Sequence, residues 1–297
     1  MFDTTPQLDC NGRILKLDVP KVMGIVNVTP DSFADGGEHC STDAAIAHGL
    51  KLAEEGAGIL DIGGASTRPG ADDVPVAEEL HRVIPVIAAL AQRTSIPISI
   101  DTSQPEVMRA AVAAGAGMIN DVFALRREGA LETAAELRVP VVLMHMLGEP
   151  RTMQDAPRYD DVVGEVHRFL AERIFVAEMA GIDRKRILVD PGFGFGKTTA
   201  HNLQLLAGLR RFTDLGVPLL AGLSRKRSIG ELTGRKMPAE RAVGSAAAHL
   251  IAAQNGALLV RAHDVAATVD VLKVWNAVAA VPVPRKDAGP PAVVWPE

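Results

Sequence analysis

Four polar residues, Asp101, Asn120, Asp190 and Lys226, stand at or just past the end of short apolar runs. Gathered into one pocket, they supply two carboxylates, an amide and an ammonium. Carboxylates accept from ring N–H and amino groups, lysine donates to a carbonyl or ring nitrogen, and an amide serves either kind of edge. That set suits a flat heterocycle with several N–H donors on one edge and a carbonyl on another. A second group, Asn27, Arg68, Arg261 and His263, is directed at anions. Guanidiniums and an imidazole suit a phosphate or pyrophosphate. Asn27, together with phosphate oxygens, would suit Mg²⁺, which prefers oxygen ligands and keeps several waters.

These residues are far apart in the chain, so the fold must bring them together. Eight times an apolar run ends in a polar cluster and a helical stretch follows: at Asn27, Asp61, Asp101, Asn120-Asp121, His145, Asp190, Ser224-Arg225-Lys226 and Arg261-His263. This is the plan of an α/β (β/α)₈ TIM barrel, whose strands carry the active site at their carboxyl ends. Strands are expected near 22–27, 59–62, 97–101, 117–121, 140–144, 187–190, 218–221 and 257–261. Their unalternating apolar character is that of parallel strands buried on both faces. Pro105 opens one helix in its favoured first-turn position, and an alanine-rich helix is expected over Ala239–Gln254. Residues 1–21 read as a lead-in. The connections from about Val28 to Ser41 and from Gly63 to Val74 are long enough to be lids. A single barrel domain, 1–281, and a proline-rich tail, 282–297, complete the organisation.

The chain's 297 residues fit one barrel. With 47% hydrophobic and 23% charged residues, the composition is that of an ordinary globular protein. A net charge of −5 without a long basic block argues against nucleic acid as a partner. Cys10 and Cys40 have neither metal-type spacing nor a disulfide pattern. No signal peptide and no membrane-spanning run is read, so a cytoplasmic location is expected.

Plainer readings compete. Asp101 and Asp121 could cap the helices that follow them. Gly192 to Lys197 is one residue too short for a Walker phosphate loop. His145 reads as a packed or capping residue that lines a wall. Arg225 and Arg227 read as solvated or paired with helix acids, which is worth little on a surface.

Seven stretches in order carry a resemblance from about Val22 to Trp275. They are Met23 to Phe33, Asp61 to Gly70, Ser99 to Thr102, Ile119 to Asp121, Asp190 to Lys197, Ser224 to Lys226, and Arg261 to Asp264. Together they resemble the dihydropteroate synthases. The resemblance implies a folate-pathway transferase that joins 6-hydroxymethyl-7,8-dihydropterin pyrophosphate to p-aminobenzoate. Mg²⁺ would be required, and sulfonamides would compete with the arylamine. It assigns the pterin to Asp101, Asn120, Asp190, Lys226, Met144 and Gly222. Pyrophosphate falls to Asn27, Thr67, Arg68, Arg261 and His263, with Asn27 also on the metal. Phe33, Thr67, Pro69, Phe195 and Arg227 would frame p-aminobenzoate.

A dissociative mechanism is expected, with Asp101, Lys226, Arg261 and Arg68 carrying catalysis and Asp35 adding negative charge near the cation. Mg²⁺, Arg68, Arg261 and His263 would neutralise the leaving pyrophosphate. A homodimer through the late helices is implied. Two positions depart from the family pattern. Ala65 stands where glutamate is usual, which bears on the bracing of the second loop. Arg227 stands where serine is common. The rival readings are a pterin-binding methyltransferase on the same barrel and a catalytically silent pterin-binding barrel. The anion-directed residues favour the synthase.

Overall fold

The structure, a computed structural model, describes residues 6–29, 37–65, 74–148, 153 and 156–282. Its elements run β1 (Gln7–Cys10), β2 (Arg13–Lys16), β3 (Lys21–Asn27), α1 (Gly37–Glu54), β4 (Ile59–Gly63), α2 (Val76–Arg93), β5 (Ile98–Asp101) and α3 (Pro105–Ala113). They continue with β6 (Met118–Asp121), α4 (Ala130–Leu137), β7 (Val141–Met144), α5 (Val162–Met179), β8 (Ile187–Asp190) and α6 (Thr199–Ala207). The last are β9 (Leu219–Ala221), α7 (Arg227–Thr233), α8 (Ala242–Gln254), β10 (Ala257–Ala262) and α9 (Val265–Ala279). Strands β3 to β10 pair in parallel and close into a barrel, β10 returning to β3. The expected (β/α)₈ architecture holds, and every strand boundary lies within one residue of its expected place.

Several one-residue differences have a simple cause. Pro97, Pro140 and Pro218 precede their strands because proline has no N–H to donate to the ladder. Each still accepts: Leu60 N–H bonds Pro97 O (3.1 Å), Ile119 N–H bonds Pro140 O (2.9 Å) and Val189 N–H bonds Pro218 O (3.1 Å). The alanine-rich helix also starts later than expected. A 3₁₀ turn over Pro238–Arg241 precedes α8, and the Arg241 guanidinium is bonded to the carbonyls of Arg225, Arg235 and Lys236.

The lead-in is not an idle segment. β1 and β2 form an antiparallel hairpin joined at Asn11-Gly12, whose φ values are 58° and 81°. Asn-Gly between alternating polar and apolar residues is the strongest short-range signal for such a turn, so the hairpin was readable in the sequence. Its inward residues Leu8, Cys10 and Leu15, with Leu17 beyond it, join one residue from each of seven barrel strands: Met23, Ile59, Met118, Val142, Leu188, Leu220 and Leu259. The hairpin thereby plugs the barrel's amino-terminal end. Contact is close enough that Gly117 is required, since a Cβ there would sit 2.2 Å from Cys10 O. Arg13 ties the plug down by donating to Ile96 O (2.8 Å) and Ala91 O (2.5 Å). A second, larger core fills the layer between barrel and helices. Among the described residues, no helix is long and apolar enough to cross a membrane.

Candidate active site

Strand side chains on one face recur every second residue. Two residues beyond the apolar inner core, the same inward face turns polar or open in five of six strands, Met144 being the apolar exception. Ile59 is followed by Asp61, Met118 by Asn120, Val142 by Met144, Leu188 by Asp190, Leu220 by Gly222, and Leu259 by Arg261. On β5 buried Ser99 is followed by Asp101. The barrel thus brings Asp101, Asn120, Met144, Asp190, Gly222 and Arg261 to one layer at its mouth.

Arg261 organises that layer. Its Nε donates to Asp61 Oδ2 (2.6 Å) and its Nη2 to Asp101 Oδ2 (2.7 Å). Asn120 Nδ2 donates to the same Asp61 Oδ2 (3.0 Å). Asp61 is fully buried. Sequence reasoning placed it at a strand end without giving it a role. Burial pushes Asp101 up to about 7, with Arg261 opposing and Asp61 adding to the rise. Burial works against the Arg261 charge, but the neighbouring Asp61 and Asp101 more than offset it and its pKa is raised.

Asp190 accepts from Gly192 N–H (2.7 Å) and is pushed up to about 6 by burial, against that bond and the charge of Lys226. Lys226 lies with Nζ 4.2 Å from the centroid of the Phe195 ring, a cation–π contact. Burial, then Arg261, brings its pKa down to about 8, while Asp190 and Asp101 hold it up. Phe195 packs with Met144 against Val122, Met146 and Met153. Gly222 leaves room beside Asp190: a Cβ there would still be 3.7 Å from Asp190 Oδ2.

The connection carrying Phe195 is held from below by a residue that sequence reasoning missed. Lys197 is buried, and its ammonium donates to Gly192 O (2.9 Å), Phe195 O (3.0 Å) and His145 Nδ1 (2.9 Å). Burial lowers Lys197 to about 7. Burial and then Lys197 lower His145 to about 2, so the imidazole is the neutral acceptor. His145 is thus a packed residue, as expected, buried edge-on against Phe169 and serving this brace beneath the β8–α6 connection. Gly192 must be glycine: φ is +71°, and a Cβ would lie 1.9 Å from His145 O. A lysine after a glycine-rich run is ordinarily solvated, and only the fold reveals the acceptors around it, His145 O (3.4 Å) among them.

On the anion side, His263 follows β10. Its backbone N–H and its Nδ1 both meet Ser224 Oγ (3.0 and 2.9 Å). Burial and the Arg261 charge lower its pKa to about 3, so in the free pocket it is a neutral hydrogen-bonding group and adds no charge. Arg225 forms a two-pronged ion pair with Asp264 (2.9 and 2.6 Å), as its paired reading anticipated. Arg227 pairs with Glu231 one turn along α7, and its side chain is 87% exposed. Its guanidinium thus lies on the surface, bonded to an acid of its own helix.

Asn27, half-buried, ends β3. Phe33, Asp35, Thr67, Arg68 and Pro69, which carried the rest of the expected anion and amine sites, lie outside the described residues, as does most of both long connections. The second of these is braced where it leaves β4, with Arg82 Nη1 donating to Gly64 O (2.8 Å) and Nε to Glu78 (2.8 Å). Neither Asp121 nor Asp101 caps the helix that follows it, α4 being entered from Gly129 and α3 from Gln104. Asp121 accepts from Phe123 N–H (2.9 Å), Leu125 N–H (2.7 Å) and Ser103 Oγ, and is a turn-forming residue. Asp101 caps nothing, since α3 begins after Gln104.

Comparison with known proteins points the same way. Residues 23–263 match the family model described as pterin binding enzyme. The dihydropteroate synthase of Escherichia coli (strain K12) is 54% identical over 212 residues, which cover 71% of this chain and 75% of that protein. A structure of Xanthomonas albilineans dihydropteroate synthase with 4-aminobenzoic acid is similar at a TM-score of 0.90 and 72% identity, covering 94% of this chain and all of that one. A structure of the same organism's enzyme in complex with 7,8-dihydropteroate gives a TM-score of 0.86 and 69% identity, covering 93% of this chain and 100% of the other.

Proposed function

The chain belongs to the pterin-binding enzymes, within them to the dihydropteroate synthases, and from that premise we propose how its own residues perform the condensation. The reaction joins 6-hydroxymethyl-7,8-dihydropterin pyrophosphate to p-aminobenzoate, giving 7,8-dihydropteroate and pyrophosphate in folate biosynthesis. The observation that carries this reading is the convergence of Asp101, Asn120 and Asp190 with Lys226 in one layer of the barrel mouth. Acceptors there meet the ring N–H and amino groups, and Lys226 meets the ring carbonyl or nitrogen. Met144 and Phe195 supply apolar surface beside them.

Mg²⁺ fits this site as a companion of the substrate. Among the described residues no group of three or more His, Cys, Asp or Glu could hold a metal. Asn27 offers one amide oxygen, and an ion that keeps its waters and takes phosphate oxygens needs little more. When bound, Mg²⁺ neutralises charge on the departing pyrophosphate. Arg261, and Arg68 from the second long connection, add positive charge there, and His263 adds an N–H donor.

The carbon–oxygen bond to pyrophosphate breaks first, leaving a pterin methylene cation beside Asp101 and Asp190. The p-aminobenzoate nitrogen then forms the new carbon–nitrogen bond and loses a proton. Phe33, Thr67, Pro69 and Phe195 frame the amine, with Asp35 adding negative charge. Exclusion of water by the two long connections protects the cation from hydrolysis. Sulfonamides, sharing the arylamine shape, compete for the same place.

Incubating the purified protein with the pterin pyrophosphate, p-aminobenzoate and Mg²⁺ should yield dihydropteroate. Excess EDTA should abolish the yield and added Mg²⁺ should restore it. No product, or full turnover in EDTA, would refute the respective part of this reading.

A cytoplasmic homodimer is the assembly we favour. Leu232 on α7, Val243 (83% exposed) and Ile251 on α8, and Val274 and Val278 on α9 leave apolar side chains in solvent, and α8 and α9 pack side by side. Apolar surface of this kind on late helices marks an interaction face. Light scattering should give twice the chain mass, and Val243→Lys should shift it toward the monomer. A monomeric wild type would end the dimer proposal.

A further inference from the structure

An asparagine amide has two ends of nearly equal size and opposite hydrogen-bonding sense. Which end faces a ligand decides what the ligand may be. At Asn120 the choice is made by Asp61. Its carboxylate is fully buried and can only accept when ionised, and it takes Asn120 Nδ2–H at 3.0 Å. The same oxygen takes Arg261 Nε–H at 2.6 Å. Turning the amide over would set Asn120 Oδ1 against an Asp61 oxygen that already accepts from Arg261, two acceptors face to face in a buried place.

We infer that Asp61 is a positioning and specificity-determining residue: by holding the Asn120 amide one way round, it sets the pocket to accept a heterocycle edge bearing an amino group. Anchored at Nδ2, the amide presents Oδ1 as an acceptor, with its second N–H as a neighbouring donor. That pair matches an edge made of an exocyclic amino group beside a ring nitrogen, much as asparagine reads adenine. Reversed, it would match a carbonyl beside a ring N–H. This inference rests on the pterin reading above and specifies which edge chemistry that site selects.

Arg261 makes a discriminating variant available. In Asp61→Asn the new amide oxygen can take the place of Oδ2, because Arg261 Nε–H requires an acceptor there. The new NH₂ then replaces Oδ1, an atom without a hydrogen-bond partner among the described residues. Asp61→Asn therefore keeps the anchor, whereas Asp61→Leu removes it.

The test is the ratio of affinities for pterin, which carries a 2-amino group, and lumazine, which carries a carbonyl there. Both are measured by calorimetric titration in the absence of turnover. The wild type should prefer pterin by roughly 10²-fold, the scale of one well-made bidentate pair. Asp61→Asn should hold that ratio within about threefold. Asp61→Leu should bring it below about tenfold, because the freed amide turns to suit either ligand. A general loss of structure lowers both affinities and does not move their ratio. An unchanged ratio in Asp61→Leu, or an equal collapse in Asp61→Asn, would overturn the inference while leaving the pterin reading standing. A wild type that binds neither ligand would overturn both. Should Asp61→Leu not fold, a neutron structure of the wild type decides the matter: the Asn120 NH₂ toward Asp61 supports the inference, and its oxygen there overturns it.

Discussion

Arg261→Ala should destabilise the free protein and nearly abolish turnover. The guanidinium is the shared partner of Asp61 and Asp101, whose side chains are 0% and 10% exposed. Removing one member of a buried ion pair leaves an uncompensated charge and costs about 3–5 kcal/mol. For a chain of this size that is a fall in Tm on the order of 10 °C. The deficit should be larger at pH 8 than at pH 5, because Asp101, already raised to about 7 by burial, can take up a proton at the lower pH. Loss of the charge from the site should lower kcat by roughly 10²–10³-fold. Arg261→Lys keeps the charge but not the fork that spans both carboxylates, so it should recover only part of either loss. Thermal melts and steady-state rates read both. A Tm within about 2 °C of wild type at pH 8, no more than one weak surface contact is worth, would show that the pair does not support the fold.

Asp101→Asn should weaken pterin binding by about 10- to 150-fold, the worth of a charge-assisted hydrogen bond of roughly 1.5–3 kcal/mol. It should also change how stability depends on pH, and the sign is fixed. Burial raises Asp101 from 3.8 to about 7, so the folded state binds its proton more tightly than the unfolded chain does. The stability this contributes is complete below about pH 4 and is lost as pH rises through about 7. Asparagine cannot titrate. Relative to Asp101→Asn, the wild type should therefore lose stability between pH 4 and 7, by at most about 4 kcal/mol. Wild-type affinity for pterin should rise with pH over the same upper range as the carboxylate ionises, and the variant should keep only the weaker dependence from Asp190 near pH 6. Parallel melting curves for the two proteins across this range would contradict the buried-carboxylate account.

Much of this was legible in the chain, for identifiable reasons. The barrel strands announce themselves because both of their faces are buried, so each is a short apolar run broken only at its carboxyl end. The residues at those ends, Asp101, Asn120, Asp190 and Arg261, stand out as a set, because any one alone could be a cap but strand ends of a barrel converge on one mouth. Asp61, though placed at a strand end, and Lys197 were given no role, for opposite reasons. Asp61 lies inside its strand, between Leu60 and Ile62, and its importance comes from two partners 59 and 200 residues away. Lys197 sits beyond a glycine-rich turn, where lysine is ordinarily solvated, and its acceptors come from the fold of the turn itself. Local periodicity carries no trace of such distant pairings. The hairpin is a different kind of omission: Asn11-Gly12 between alternating residues was a sufficient signal, and the shortness of the flanking strands masked it.

The two-residue offset between the apolar inner core and the polar mouth separates what keeps the barrel folded from what it recognises. Leu188 and Asp190 share a face of β8, yet one answers to the Leu8–Leu17 plug below and the other to the ligand above. A change at the upper position of such a strand alters recognition while the packing beneath keeps its volume. A change at the lower position tests the fold and leaves the chemistry alone. Inheritance can therefore revise the ligand of this protein one strand at a time without rebuilding the protein. The exception is Asp61, where a single substitution touches Asn120, Arg261 and through it Asp101, and revision there must move several groups together.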